Sequence, residues 1–254
     1  MLTRHGSMHL LTFSGIAVFV HWTWFVAAFF LFTLTGGRDI FGFLAIYCSL
    51  FGIVLLHEFG HALACRSVGG KARDIVLWPL GGVAYVEPPP RPGAVLWSIA
   101  AGPLVNVALL PVLYGLALST SGTWQGYFAL IAYVNLALLI FNLLPIYPLD
   151  GGQIVQSVLW FFVGRARSLR LTAGFGFGVA LVVGLLALLG VSDVVPVIRN
   201  VNPTMLLLLS AFIGWKAWEG YRVARLMAAM EAYEQDGLQR ALRRAAAMTR
   251  EPMG

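Results

Sequence analysis

The sequence contains very little charge for its length. Only 11% of its 254 residues are Asp, Glu, Lys or Arg, whereas soluble proteins carry about 25%. Apolar residues make up 59% of the chain, and the mean hydropathy is +0.81. This balance excludes an ordinary soluble enzyme and a disordered linker. We therefore predict a polytopic membrane protein.

Cysteine is scarce as well, since Cys48 and Cys65 are the two in the chain. They show no paired-cysteine motif, which excludes a disulfide-stapled secreted domain and a cysteine-based metal or redox site. Both are expected to be small buried side chains. The formal net charge is +6, but the basic residues are scattered between apolar runs. Without a basic face, no nucleic-acid partner is expected.

Six apolar runs are long enough to cross about 30 Å of hydrocarbon as helices. With the N-terminus inside the cell, fifteen of the 17 Lys and Arg residues lie on the inner side, leaving Arg38 and Arg199 outside. The positive-inside rule then predicts a multi-pass protein of the inner (plasma) membrane with both termini cytosolic. The expected domains are a membrane domain over 1–221 and a charged, helical cytosolic tail over 222–254. The predicted spans are Gly15–Thr35, Ile40–Ala64, Ala94–Leu118, Gly126–Leu144, Leu171–Leu189 and Pro203–Tyr221.

Two segments do not fit plain membrane helices. Asp74–Glu87 is rich in strand-forming residues around Gly81 and Gly82, which predicts a β-hairpin, and three prolines follow it. Asn142–Gly152 contains two prolines and two glycines, and such a broken backbone is tolerated at membrane depth only within protein or a wet cavity. The predicted fold class is all-α, with about six transmembrane helices, a short membrane-associated hairpin and a cytosolic C-terminal helix.

Ionisable residues lie where the bilayer makes them costly, which favours a functional role. His57, Glu58 and His61 form an HExxH pattern inside the second apolar run. On a helix, residues four apart share one face, so both imidazoles can bind one zinc ion. Glu58, beside the first ligand, can act as the general base on a metal-activated water. A structural cluster that locks helices together is the alternative interpretation.

A catalytic zinc ion needs a third protein ligand, and Asp150 is the candidate. It is the single formal charge between Pro92 and Gly164. In the predicted topology it lies at a depth comparable to that of His57, so a shared site is permitted. A helix-capping aspartate is the alternative, because Gly151 and Gly152 follow and a new helix can begin there.

These motifs resemble the site-2 protease family, the intramembrane zinc metalloproteases of peptidase family M50. The resemblance rests on HEFGH at His57–His61, on NLLPIYPLDGG at Asn142–Gly152 and on AGPLVN at Ala101–Asn106. Leu80–Gly82 in the hairpin and the opening segment with His21 also fit. The chain is most similar to the compact branch that contains the sporulation pro-sigma-factor processing protease.

The resemblance implies roles for individual residues and for the whole chain. Zinc would be held by His57, His61 and Asp150, with Glu58 activating water. Asn142 would hold a substrate carbonyl or the oxyanion, with helix packing as the alternative role. Apart from the resemblance, Asn106 is expected to brace the metal site, with direct chemistry as the alternative, and His21 to make a structural or gating hydrogen bond rather than to be a fourth ligand. The expected activity is regulated intramembrane proteolysis.

The expected partners are the bilayer and a membrane-spanning substrate, such as an anti-sigma factor or a membrane-tethered transcription regulator, cleaved to release a cytosolic fragment. A zinc-binding or zinc-transporting membrane protein without protease activity is the main alternative, although no repeat or paired site is evident. A CAAX-processing protease would use a downstream Glu as its third ligand, whereas here the deep acid is Asp150. A pseudoenzyme scaffold is disfavoured because the catalytic residues are intact.

Overall fold

The computed structural model describes residues 6–34, 36, 39–78, 81–190 and 201–248. Arg4, Thr35, Arg38, Leu80, Arg199 and Arg250, on which parts of the sequence analysis rest, lie outside these residues. The described part is mostly helical and contains one small sheet. The elements are β1 Ser7–Phe13, β2 Ile16–His21, α1 Thr23–Leu34, α2 Ile40–Ser67, β3 Lys71–Trp78, β4 Gly81–Glu87, α3 Pro92–Ser119, α4 Gly122–Asn142, α5 Asp150–Val163, α6 Arg165–Leu188 and α7 Pro203–Met248.

The chain forms two compact units. The first comprises Met1–Pro145 with Leu149–Ile154, and so holds the sheet, α1 to α4 and the first turn of α5. The second comprises Ile146–Pro148 with Val155–Gly254. In it α6 packs on α7, where Phe177 and Trp218 are in ring contact. All residues of the candidate site described below belong to the first unit.

Four helices of the described chain are long and apolar enough to cross a membrane: α2, α3, α4 and α6. They have 28, 28, 21 and 24 residues, so at about 1.5 Å per residue each exceeds the roughly 30 Å of a hydrocarbon core. The apolar helix α1 has only 12 residues, which is about 18 Å. By their length and composition, these helices indicate a membrane protein.

The prediction of one membrane helix over Gly15–Thr35 was wrong. The segment begins as strand β2, which pairs with β1 on one side and β3 on the other, and of its described residues only Thr23–Leu34 are helical. Ile16, Val18 and Val20 are buried at every second position, which is the period of a strand. β-branched residues favour this conformation, but an apolar run does not by itself distinguish a strand from a helix. The all-α prediction is corrected accordingly.

The sheet has four strands in the order β1-β2-β3-β4. β3 and β4 pair antiparallel where the hairpin was predicted, while β2 and β3 run parallel because α1 and α2 connect them. Side chains of β2 and β3 form the main core with α2, including Ile16, Ile75, Leu77, Val54 and Ala62. The sheet therefore lies along the helix that carries HEFGH, and β4 forms one of its edges.

Three features of the C-terminal half differ from the sequence analysis. Helix α5 was not among the predicted spans, because its glutamines and glycines interrupt the apolar pattern, although a helix start at Asp150 was the alternative considered. Helix α6 begins at Arg165, ahead of the predicted start at Leu171. Helix α7 continues without a break through residue 221, since the residues beyond are strong helix formers, and it is not among the four candidate spans. Cys65 is buried as expected, but Cys48 is exposed.

Candidate metal centre

The HEFGH residues lie in the C-terminal half of α2, where that helix is buried. His57, Glu58 and His61 are each 6% exposed. Their spacing of four residues brings the two imidazoles to the same helix face, with their Nε2 atoms 3.1 Å apart. The local sequence alone therefore sets the first two members of the site.

One face of α3 holds both imidazoles through Ser98 and Asn106, which are eight residues apart on that helix. Nδ1 of His61 donates to the backbone carbonyl of Ser98 at 2.9 Å, and Nδ1 of His57 lies 2.6 Å from Oδ1 of Asn106. Gly102 lies between these two residues on the same face. A Cβ atom at Gly102 would come within 2.3 Å of Nε2 of His61 and 2.9 Å of Nε2 of His57. A glycine at this position therefore leaves the space in front of both Nε2 atoms open.

Asp150 is brought to the imidazoles by the broken segment after α4. It is the first residue of α5, and Gly151 next to it packs on the turn. A Cβ atom at Gly151 would come within 2.3 Å of the carbonyl oxygen of Leu143, so only glycine lets the start of α5 pack this closely against the end of α4. Oδ2 of Asp150 lies 3.1 Å from Nε2 of His57 and 3.4 Å from Nε2 of His61. The structure thus places Asp150 both at a helix start and against the two histidines.

The three groups fit a bound metal ion. Because each Nδ1 faces an oxygen acceptor, each Nε2 presents a lone pair to the others. The buried Oδ2 of Asp150 has no hydrogen-bond partner among the described residues. Three electron-pair donors that face one another in a buried space repel, and a cation relieves the repulsion. Two imidazoles and one carboxylate are a donor set of catalytic zinc sites, and His57, His61 and Asp150 form the group that could hold the ion.

Glu58 lies beside this group and faces strand β4. Its Oε2 accepts a hydrogen bond from the backbone N–H of Ala84 at 2.8 Å. A Cβ atom at Gly82 would come within 2.4 Å of Cγ of Glu58, so this glycine lets the strand approach closely. The carboxylate is thus oriented by the edge strand of the sheet and remains available for proton transfer.

The two other residues singled out in the sequence are not members of the group of three. Asn142 is the half-buried last residue of α4, and its side chain makes no hydrogen bond within the described residues. His21 stacks on Trp78 with ring centroids 3.9 Å apart, and its Nδ1 lies 2.7 Å from the hydroxyl of Thr23. His21 therefore has a structural contact, and the role predicted for Asn142 stays a prediction.

Four residues around the site were missed or given no role: Gly82, Ser98, Gly102 and Asn135. Ser98 acts through its backbone carbonyl, which any residue supplies, so no sequence signal exists for it. Gly102 could have been found from its spacing of four residues before Asn106. Asn135 is an isolated amide in the apolar helix α4, and its side chain contacts Asn106.

Comparison with known proteins gives a consistent picture. The model of peptidase family M50 matches residues 45–123 and 117–188, which together are more than half of the chain and include the HEFGH, AGPLVN and PLDGG motifs. A zinc metalloprotease of Methanocaldococcus jannaschii is 30% identical over 222 residues, which are 87% of this chain and 62% of that protein. Stage IV sporulation protein FB of Bacillus subtilis is 37% identical over 146 residues, covering 55% of this chain and 46% of that protein.

A solved structure, the site-2 protease from Methanocaldococcus jannaschii, is similar in fold. The TM-score is 0.63 at 29% identity, and the match covers 85% of this chain and 95% of that one. The chain spans about three fifths of the length of the archaeal sequence relative. Zinc is the cofactor that these relatives and the donor set of His57, His61 and Asp150 both indicate.

Proposed function

Because the chain belongs to peptidase family M50, we propose that it is a site-2-type zinc metalloendopeptidase that cleaves a membrane-spanning segment of another protein. The observation that carries the proposal is the convergence of His57, His61 and Asp150, with Glu58 directly beside them. Metal transport requires donors but no adjacent base. A buried carboxylate held next to the donors, outside the group of three, favours hydrolysis.

The metal ligands, Glu58 and Asn142 would each have a separate role in peptide-bond hydrolysis. When bound by His57, His61 and Asp150, zinc would polarise the peptide carbonyl and make water acidic enough to lose a proton near neutral pH. Glu58 takes that proton as the new C–O bond forms, and returns it to the departing amine nitrogen as the C–N bond breaks. Asn142 is proposed to donate its amide N–H to the developing oxyanion.

A membrane helix hides its peptide bonds in its own hydrogen bonds, so the substrate must be held unwound at the site. Strand β4 suits this purpose because it is an edge of the sheet and carries the N–H that binds Glu58. Because this N–H bonds Glu58, the part of β4 around Ala84 lies beside the proposed base. We propose that an extended substrate segment adds to this edge by backbone hydrogen bonds.

The charge distribution of the sequence indicates the side of the membrane to which the cleaved substrate fragment would be released. We propose that the protein lies in the plasma membrane with both termini in the cytosol, as the inner excess of Lys and Arg in the six-span arrangement favours. This arrangement counts α1 and α7 as crossings in addition to the four candidate spans. His57 then lies about 13 Å along α2 from the cytosolic charge of Arg66. The cleaved substrate would release its cytosolic part, which suits a membrane-tethered regulator such as an anti-sigma factor.

The test uses Glu58→Gln, which keeps the shape of the side chain and an oxygen acceptor for Ala84 but cannot take a proton. Cells of the source organism that express this variant in place of the wild type should accumulate uncut membrane-anchored proteins. Quantitative proteomics of membrane and cytosolic fractions would identify proteins whose soluble fragment disappears. Zinc analysis of the purified variant is the control, and its zinc content should equal that of the wild type.

Cleavage of the same proteins by Glu58→Gln at near wild-type rate would overturn the proposed role of the glutamate. If the amounts of uncut membrane proteins and of soluble fragments are the same in the wild-type and Glu58→Gln strains while both forms of the protein hold zinc, the protease proposal itself fails. The metal-binding alternative would then account for the centre.

A further inference from the structure

His57 is the end of a buried hydrogen-bond chain that crosses three helices. Its Nδ1 lies 2.6 Å from Oδ1 of Asn106 on α3, and Nδ2 of Asn106 donates to Oδ1 of Asn135 on α4 at 2.7 Å. Nδ2 of Asn135 then donates to the backbone carbonyl of Asn106 at 2.9 Å. Asn106 is 1% exposed and Asn135 is 0% exposed. We propose that Asn135 is a positioning residue that fixes the protonation pattern of His57, an inference that rests on the proposed function.

The backbone carbonyl of Asn106 determines which atom donates and which accepts in each hydrogen bond of this series. The backbone carbonyl of Asn106 can only accept, so the Asn135 atom beside it must be the NH₂ group. The other end of the Asn135 amide is then oxygen, which requires a donor and therefore faces Nδ2 of Asn106. Oδ1 of Asn106 is left for the imidazole, and an oxygen acceptor requires a proton on Nδ1 of His57.

The position of the proton on His57 determines whether its Nε2 can bind the candidate metal ion. A neutral imidazole with its proton on Nδ1 has a free lone pair on Nε2, the atom that faces Asp150 and His61. Without Asn135 the Asn106 amide can turn over and donate to Nδ1, which moves the proton to Nε2 and blocks the ligand. His61 needs no such device, because its Nδ1 faces the acceptor-only carbonyl of Ser98 directly. Outer hydrogen-bond partners of metal-bound histidines change metal affinity by about 10–100-fold.

A simple packing role for Asn135 makes different predictions. Asparagine side chains join membrane helices by hydrogen bonds, and their loss loosens a helix pair without changing any tautomer. If Asn135 acts through Asn106, its removal should matter only while Asn106 is present. The two roles are therefore separated by the tautomer of His57 and by the coupling between the two asparagines.

The experiment uses the full chain in the Glu58→Gln background, so that no readout depends on proteolysis. Asn135→Leu, which keeps the branched shape of the side chain but is larger and has no hydrogen-bonding group, is compared with Asn106→Leu and with the double variant. Zinc affinity is measured by competition with a chelator. The protonated ring nitrogen of His57 is identified from ¹⁵N chemical shifts of zinc-stripped protein labelled at histidine. Ile131→Ala is the matched control, because Ile131 is a buried residue one turn away on α4.

The expected result is a zinc affinity lowered about tenfold or more in Asn135→Leu, with Nδ1 of His57 losing its proton. Adding Asn135→Leu to Asn106→Leu should cause less than about a twofold further change. Ile131→Ala should leave both readouts at wild-type values. Asn135→Ala is predicted to behave like the leucine variant and replaces it if the leucine variant does not fold.

The inference is overturned if His57 keeps its Nδ1–H form in Asn135→Leu, or if that substitution weakens zinc binding equally with and without Asn106. The tautomer is measured without zinc, so this arm tests the inference even if the wild type binds no metal. Absence of zinc binding by the wild type would instead overturn the proposed function.

Discussion

The sharpest structural prediction concerns Gly102, because a single methyl group there would occupy the candidate metal site. The added Cβ atom of Gly102→Ala would lie 2.3 Å from Nε2 of His61 and 2.9 Å from Nε2 of His57. Zinc bound by both imidazoles needs to be about 2.0–2.1 Å from each Nε2. The methyl group and the ion therefore compete for the same volume. We expect zinc affinity to fall at least about tenfold, since the histidines must leave their positions to relieve the contact.

Gly115→Ala is the matched control, because Gly115 is on the same helix and its added Cβ atom meets nothing within 4 Å. Alanine is favoured over glycine in a helix by about 1 kcal/mol, so neither change should unfold α3 through helix propensity. Thermal unfolding and zinc content of both purified variants, measured by mass spectrometry of the metal, provide the assay. Full zinc occupancy in a folded Gly102→Ala protein would refute the geometry described for the site.

Three further predictions concern the proposed base, the metal ion and the membrane topology. Gly82→Ala should lower the cleavage rate by at least about tenfold while zinc is retained, because its Cβ atom would lie 2.4 Å from Cγ of Glu58 and displace that carboxylate; loss of zinc, or an unchanged rate, would contradict this. Treatment with a zinc chelator should abolish cleavage, and added zinc should restore it; activity that survives complete removal of zinc would contradict a metal mechanism. In a Cys48→Ser background, which removes the exposed native cysteine, Glu87→Cys at the exposed end of β4 should react with a membrane-impermeant reagent only from the cytosolic side; labelling from the outside would invert the proposed topology.

The sequence was sufficient for those parts of the site that depend on local spacing. The four-residue interval between His57 and His61 sets their common helix face, and Asp150 could be selected because it is the sole charge in a long apolar region. The resemblance to the site-2 proteases is confirmed by the family match. The zinc cofactor that the resemblance implies is confirmed by the same comparison and by the group of three donors.

Features that depend on distant pairing could not be predicted in the same way. Ile16–His21 has the composition of a membrane helix, and only its pairing with β1 and β3 makes it a strand. The contact of Glu58 with Ala84 depends on where the sheet lies along α2, which no local pattern encodes. The hydrogen bond between Asn135 and Asn106 joins two helices, so no local sequence pattern indicates it.

The central claim is that His57, His61 and Asp150 bind one zinc ion while Glu58 serves the chemistry without binding it. Metal analysis of four purified full-length proteins tests the claim most directly: the wild type, Glu58→Gln, His61→Ala and Asp150→Ala. The account predicts about one zinc per chain in the wild type and in Glu58→Gln, and strongly reduced zinc in the two ligand variants, since loss of one of three protein ligands opens the site. Full zinc occupancy in both His61→Ala and Asp150→Ala would contradict it.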